Sequence, residues 1–112
     1  MVVEWLRVRM RPEARDRFLE TDGEVWTSGL AQEEAFLGKE VWLGEEEGDL
    51  VLVIRWRSEE EWKRIPRERL EELERRFGRA FGERYEVVES RTFRPVQTLR
   101  AAGSAERSLP AS

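Results

Sequence analysis

Leu50-Val51-Leu52-Val53-Ile54 lies near the middle of the chain. It is apolar on both alternating parities and short enough for a strand. A strand greasy on both sides is covered on both faces, so it belongs in the interior of a sheet. Arg55-Trp56-Arg57 continues it, and the strand is predicted over 50–57. Just upstream, Gly44-Glu45-Glu46-Glu47-Gly48-Asp49 is a polar turn. Phe36 to Leu43 before that turn reads as another strand, with Leu37, Val41 and Leu43 on one parity. The two strands and the turn make a hairpin.

Further out, Val2 to Met10 alternates: Val2, Leu6, Val8 and Met10 share one parity, Val3, Trp5, Arg7 and Arg9 the other. Arg11-Pro12 ends that strand, and Pro12 suits a first helical position, with Glu13 and Asp16 in the acid-favouring early turns. Ala14, Phe18, Val25 and then Leu19, Trp26, Leu30 fall at helical spacings, and Gly23 predicts a break or a bend between a helix over 12–22 and a shorter one over 25–32. After the hairpin, Ser58 with Glu61 forms a capping box and starts a helix through Trp62 that Pro66 interrupts. A following helix carries Leu70, Leu73, Phe77, Ala80 and Phe81 on one stripe and ends at Gly82. Tyr85 to Arg94 is the last strand, with Tyr85, Val87 and Phe93 on one side, Val88 on the other, and Pro95 closing it. From 97 to 112 the chain is small, polar and aperiodic, which predicts a flexible C-terminal tail after a domain over 1–96.

The order β-α-β-β-α-β is ferredoxin-like: an α+β fold with a four-stranded antiparallel sheet and helices on one face. The central strand then needs a second cover that this chain has no element left to supply. A second copy's sheet is the simplest one, so a homodimer through the sheet faces is expected.

Composition narrows the chemistry. With 112 residues a single domain is expected, and equal charged and hydrophobic fractions of 39% describe a core under a heavily charged surface. Net charge is −4 and no basic patch stands out, which argues against nucleic acid. Lys39 and Lys63 are the lysines of an arginine- and glutamate-rich chain, a loading that suits surface ion-pair networks. With no cysteine, disulfides and thiol nucleophiles are excluded; with no histidine, the commonest metal ligand and the usual neutral-pH base are absent. Glu45–Glu47 and Glu59–Glu61 lack the spacing of a calcium loop, and no phosphate loop or dinucleotide fingerprint occurs, so neither metal nor cofactor is expected. The start, Met1-Val2-Val3-Glu4, is unlike a secretory leader, and no apolar run approaches the ~20 residues of a membrane helix. A cytoplasmic protein that binds no membrane is the expectation.

Val25-Trp26-Thr27, Phe36-Leu37-Gly38-Lys39-Glu40-Val41-Trp42-Leu43, and Val51-Leu52-Val53-Ile54-Arg55-Trp56 with Ser58 through Pro66 resemble an uncharacterised bacterial family. That family resembles the dimeric α+β barrel superfamily, which includes the antibiotic-biosynthesis monooxygenases. The resemblance covers about residues 2 to 95. It implies a dimer whose sheets form a barrel, with a cavity in each subunit between sheet and helices. It carries over no reaction, because members differ in chemistry. One branch degrades haem through a histidine ligand, which this chain lacks. Another oxidises polyphenols with neither metal nor flavin: the substrate's own anion reduces oxygen, and the protein supplies an aromatic cleft and proton relays.

Five tryptophans are many for this length, and they serve either as core filler or as walls of a pocket for a flat ligand. Trp26, beside the predicted helix break, together with Trp42, Trp56 and Arg55, forms the candidate ligand-binding set. Arg55 and Arg57 share the parity of Val51 and Val53, and Arg7 and Arg9 share one on the neighbouring strand. They either gather into an anion site or pair with carboxylates such as Glu4, Glu40, Glu86 or Glu89. Glu4 is the odd polar residue on the parity of Leu6 and Val8, where burial would raise its pKa toward general-base values. Glu40 and Tyr85 complete the catalytic candidates. Two functions stay open. One is binding or cofactor-independent oxidation of a small aromatic or amphipathic metabolite in the sheet–helix cavity. The other is a non-catalytic dimeric interaction or regulatory module. An enclosed cavity reached by Trp26 and a charged group would favour the first; a solidly filled space would favour the second.

Overall fold

A computed structural model describes residues 1–102 of the chain. Strands β1 (Val2–Arg9), β2 (Phe36–Leu43), β3 (Asp49–Trp56) and β4 (Glu86–Phe93) form one antiparallel sheet in the order β2-β3-β1-β4. Helices fill the two crossovers, so the architecture is the ferredoxin-like α+β fold. β3 is interior, as its two-sided apolar pattern requires. Asp49 to Ile54 and Trp56 are all buried.

After a 3-10 turn at Pro12–Ala14, helix α1 (Arg15–Asp22) runs through a π-helical turn (Gly23–Thr27) into α2 (Ser28–Leu30). Of the break or bend expected at Gly23, the break does not occur, and the irregularity there is a π turn. Gly23 keeps right-handed helical angles, and the chain absorbs the irregularity by widening one turn. Gly29 has a packing role: a Cβ there would lie 2.5 Å from Leu73 Cδ2, so its absence lets α2 lie against the long helix. Helix α3 (Glu59–Lys63) is capped as expected: Ser58 Oγ accepts from the Glu61 N–H at 3.2 Å and donates to Glu61 Oε1 at 2.9 Å. Helix α4 (Arg67–Phe81) follows Pro66, buries Leu73, Phe77 and Phe81, and ends on Gly82 at φ +69. Ala80, predicted on the buried stripe, is exposed, because it lies at the stripe's margin in the final turn.

Two irregularities reset side-chain parity. A register shift between Arg7 and Val8 opposite β4 pairs Val87 with Val8 but Phe93 with Val3. Val87 and Phe93, predicted on one side, therefore lie on opposite faces, which is the geometric effect of a β-bulge. A second shift between Phe36 and Gly38 leaves Leu37 53% exposed and off the parity of Val41.

The core lies between helices and sheet, with Val2, Val8, Leu50, Leu52, Ile54 and Trp56 meeting Phe18, Leu73, Phe77 and Phe81. On the other sheet face Val51 and Val53 are already 7% and 2% exposed. Their cross-strand neighbours Trp5, Arg7, Glu40 and Trp42 shield them, so these two valines do not themselves demand a second subunit. The expected tail begins at 97; residues 97–102 are exposed and carry no regular element, and the remainder lies outside the described residues. Among the described residues no helix is long and apolar enough to cross a membrane.

Candidate functional site between sheet and helices

The space between the layers is not solidly filled. A cavity of about 320 Å3 lies over the helix-facing side of β1 and β3. Leu6, Leu52 and Ile54 floor it, because alternate strand residues point one way. Phe18 of α1, Trp26 of the π turn, Trp62 of α3 and Phe77 of α4 wall it. Edge-to-face contacts hold the aromatic wall: Phe18 meets Phe77, Phe81 and Tyr85 with ring centroids 5.2, 5.4 and 5.6 Å apart. Trp56 and Trp62 lie parallel, 8° between planes and 6.1 Å between centroids.

A few polar groups enter this apolar space. Glu4 sits mid-strand among Val2, Leu6 and Val8, and Trp56 Nε1 donates to its Oε1 at 3.2 Å. Burial pushes the Glu4 pKa above the ordinary carboxylate value of 4.5, opposed by the Trp56 hydrogen bond and by the charges of Lys63 and Lys39. Lys39 of β2, Ile54 of β3 and Glu4 of β1 form one cross-strand row on this face. Lys39 Nζ donates to Asp22 Oδ2 at 2.6 Å, and both side chains are only 4% exposed. Asp22 leads into the π turn, so the ion pair ties the sheet's edge strand to the helix layer. Tyr85, at the far side, has its pKa raised by burial and by the negative charges of Glu74 and Asp22. Its phenol therefore stays protonated across the physiological range and can donate a hydrogen bond. Among the described residues no three acidic side chains converge on a common point as metal ligands.

The sequence pattern of the antibiotic biosynthesis monooxygenase family matches residues 1–67. The chain belongs to the antibiotic biosynthesis monooxygenase family. Solved structures of similar fold include SnoaB, a cofactor-independent oxygenase from Streptomyces nogalater. SnoaB is 15% identical with a TM-score of 0.62, over 89% of this chain and 97% of that one. A monooxygenase of Streptomyces coelicolor in complex with nanaomycin D is 12% identical with a TM-score of 0.69, covering 89% and 91%. A third, a proposed antibiotic biosynthesis monooxygenase from Deinococcus radiodurans, is 10% identical with a TM-score of 0.65, covering 90% and 98%. At these identities the likeness is one of fold. No curated protein matches the sequence.

In this monooxygenase-family chain the structure divides the sequence-predicted candidates in two. Glu4, Tyr85, Trp26 and Trp56 line the cavity. Glu40, Trp42 and Arg55 do not: they stand on the opposite sheet face, joined to one another. Arg55 Nη1 donates to Glu40 Oε2 at 3.0 Å and Trp42 Nε1 to Glu40 Oε1 at 2.8 Å. The period-2 alternation of β2 and β3 sends them away from the helices. The arginines form no free anion site either. Arg7 pairs with Asp49 and Glu89, Arg9 with Asp49 and Glu46, and Arg57 with Glu61.

Sequence reasoning missed Lys39, Asp22, Trp62 and Glu74 as cavity residues. Lys39 carried a usable signal. It is the lone cation on the parity of Val41 and Leu43, the same oddity that singles out Glu4 on β1. Asp22 carried none, because its role depends on the π turn.

Proposed function

We propose that this chain is a homodimeric, cofactor-independent monooxygenase-like protein that binds a small flat aromatic metabolite in the sheet–helix cavity and oxidises it, with residues 1–96 as the working domain. One observation carries the reading: a cavity of about 320 Å3, walled by aromatic rings, with a carboxylate of raised pKa on its floor. A phenol lying against the rings offers its hydroxyl proton to Glu4. The resulting phenolate is the electron donor to oxygen. One oxygen atom enters a ring carbon, the other leaves as water, and the phenol supplies the four electrons in becoming a quinone. Tyr85, at the other end of the cavity, stands as a protonated donor to an oxygen at the far end of the ligand. That a monooxygenase of similar fold holds nanaomycin D as a ligand supports a small-molecule ligand here.

The absence of histidine favours a second reading, a dimeric module that binds its ligand, or a partner, without turnover. Thermal-shift and native mass-spectrometry screening against phenols and naphthols, followed by oxygen-electrode assays on chelator-treated protein, separates the two. Stabilisation together with oxygen uptake matched to substrate loss, and slowed by Glu4→Gln, is the expected outcome. Stabilisation without uptake supports the module. No response to any aromatic ligand overturns the cavity reading.

A further inference from the structure

Among the described residues, the ionisable side chains lining the cavity are three carboxyls, Glu4, Asp22 and Glu74, the phenol of Tyr85, and one cation, Lys39. That cation is not free. Its ammonium lies 2.6 Å from the Asp22 carboxylate, with both side chains 4% exposed. A buried charge that has its counter-charge gains little from a second one, and an ion brought into an apolar space without a partner costs free energy. The next polar group in the Lys39–Ile54–Glu4 row is a carboxyl, which accepts a hydrogen bond from a neutral hydroxyl but repels an acid.

We propose that the buried Asp22–Lys39 pair is a specificity element: by holding the Lys39 cation of the cavity neutralised, it restricts the site to uncharged hydroxyaromatic ligands and turns away those bearing a carboxylate. This deepens the reading of the cavity as an aromatic-ligand site and rests on it. Lys39 and Asp22 are specificity residues here. They act through the field that an incoming anion meets.

Titration calorimetry near neutral pH with naphthol, hydroxynaphthoic acid and the methyl ester of that acid tests the idea on the unmodified protein. Naphthol and the ester bind within a few-fold of each other, and the acid binds at least about tenfold more weakly. Asp22→Asn uncovers the Lys39 charge, so the acid gains about tenfold while naphthol changes by less than about threefold. Lys39→Gln is the second variant, and there the acid weakens further. If the ester is refused as strongly as the acid, the barrier is one of shape and the proposal fails. If the acid equals naphthol, or if Glu4→Gln restores the acid while Asp22→Asn does not, it fails as well. If none of the three ligands binds, the cavity reading itself falls and takes this inference with it.

Discussion

The two faces of one sheet handle charge in opposite ways. On the face turned from the helices, each arginine of β1 and β3 meets an acid. Arg7 and Arg9 share the buried Asp49 at 2.9 and 2.7 Å, Arg7 also reaches Glu89 at 3.2 Å, and Arg55 reaches Glu40 at 3.0 Å. On the helix-covered face Glu4 has one hydrogen-bond donor, an indole, and no ion pair among the described residues. Hydrogen bonds from Arg9 and Arg7 hold the Asp49 carboxyl below its ordinary 3.8, whereas burial pushes Glu4 above 4.5. Matched charges stay ionised and serve structure. A poorly matched carboxyl in an apolar cavity can exchange its proton, which is what a site for chemistry needs.

The largest test of that contrast is Phe77→Ala. Phe77 is 1% exposed and contacts Phe18, Phe81 and Tyr85 through their rings. Its truncation is expected to destabilise by about 3–5 kcal/mol in urea denaturation. A loss under about 1 kcal/mol would mean that the helix-side wall is loose and the cavity no defined space.

Asp49→Asn comes next. It removes the charge that Arg7 and Arg9 share, but those arginines are 30% and 44% exposed and water screens them. The expected loss is therefore only about 1–2 kcal/mol. Because the folded-state pKa of Asp49 lies below its unfolded value, this stabilisation is present above about pH 3.8 and is lost as pH falls through the lowered value. Wild type and variant should converge at low pH, and parallel pH profiles would refute the matched-pair account.

Glu4→Gln should behave in the opposite sense. The folded protein keeps the Glu4 proton over a pH range in which the unfolded chain has released it. Wild-type stability therefore falls as pH rises from about 4.5 through the raised value, and the glutamine variant lacks that fall. Near neutral pH the variant is expected within about 1 kcal/mol of wild type, or above it. A clear loss at neutral pH would show that the carboxylate is stabilising, and Glu4 would then belong with Asp49.

How much of this was legible follows from particular residues. The greasy run Leu50–Ile54 placed β3 in the sheet interior, Ser58 with Glu61 placed a helix start, and Pro66 and Gly82 placed helix ends. These signals are local, and local signals survive folding. Glu4 was legible as a cavity residue because strand alternation exposes an odd polar residue. Trp42, Arg55 and Glu40 were grouped with the site although the same alternation sends them to the other face. Which parity of β2 faces the helices depends on its pairing with β3, and the shift at Phe36–Gly38 hides that pairing. The Asp22–Lys39 contact joins a π turn to an edge strand, and the bulge opposite β4 separates Val87 from Phe93. Neither leaves a trace in residue spacing.

Trp42→Ala carries the smallest expected effect on the fold and the sharpest reading of the open face. Trp42 is 46% exposed, its indole is hydrogen-bonded to the exposed Glu40, and it does not line the cavity. Trp42 covers Val51 across the strand but does not pack into the helix-side core, so the stability of the single chain should change by less than about 0.5 kcal/mol. Phe93, 49% exposed and edge-on to Trp5 at 6.4 Å, extends the apolar area of the same face. If a second copy lies against that face, Trp42 is an aromatic anchor of the kind that dominates association, and its loss should weaken self-association by about tenfold or more. Sedimentation across a concentration series reads this directly: wild type dimeric, variant shifted toward monomer, melting of the monomer unchanged. A wild-type chain that stays monomeric throughout would leave the open face a solvated surface, its arginine–carboxylate ladder sufficient to finish the sheet.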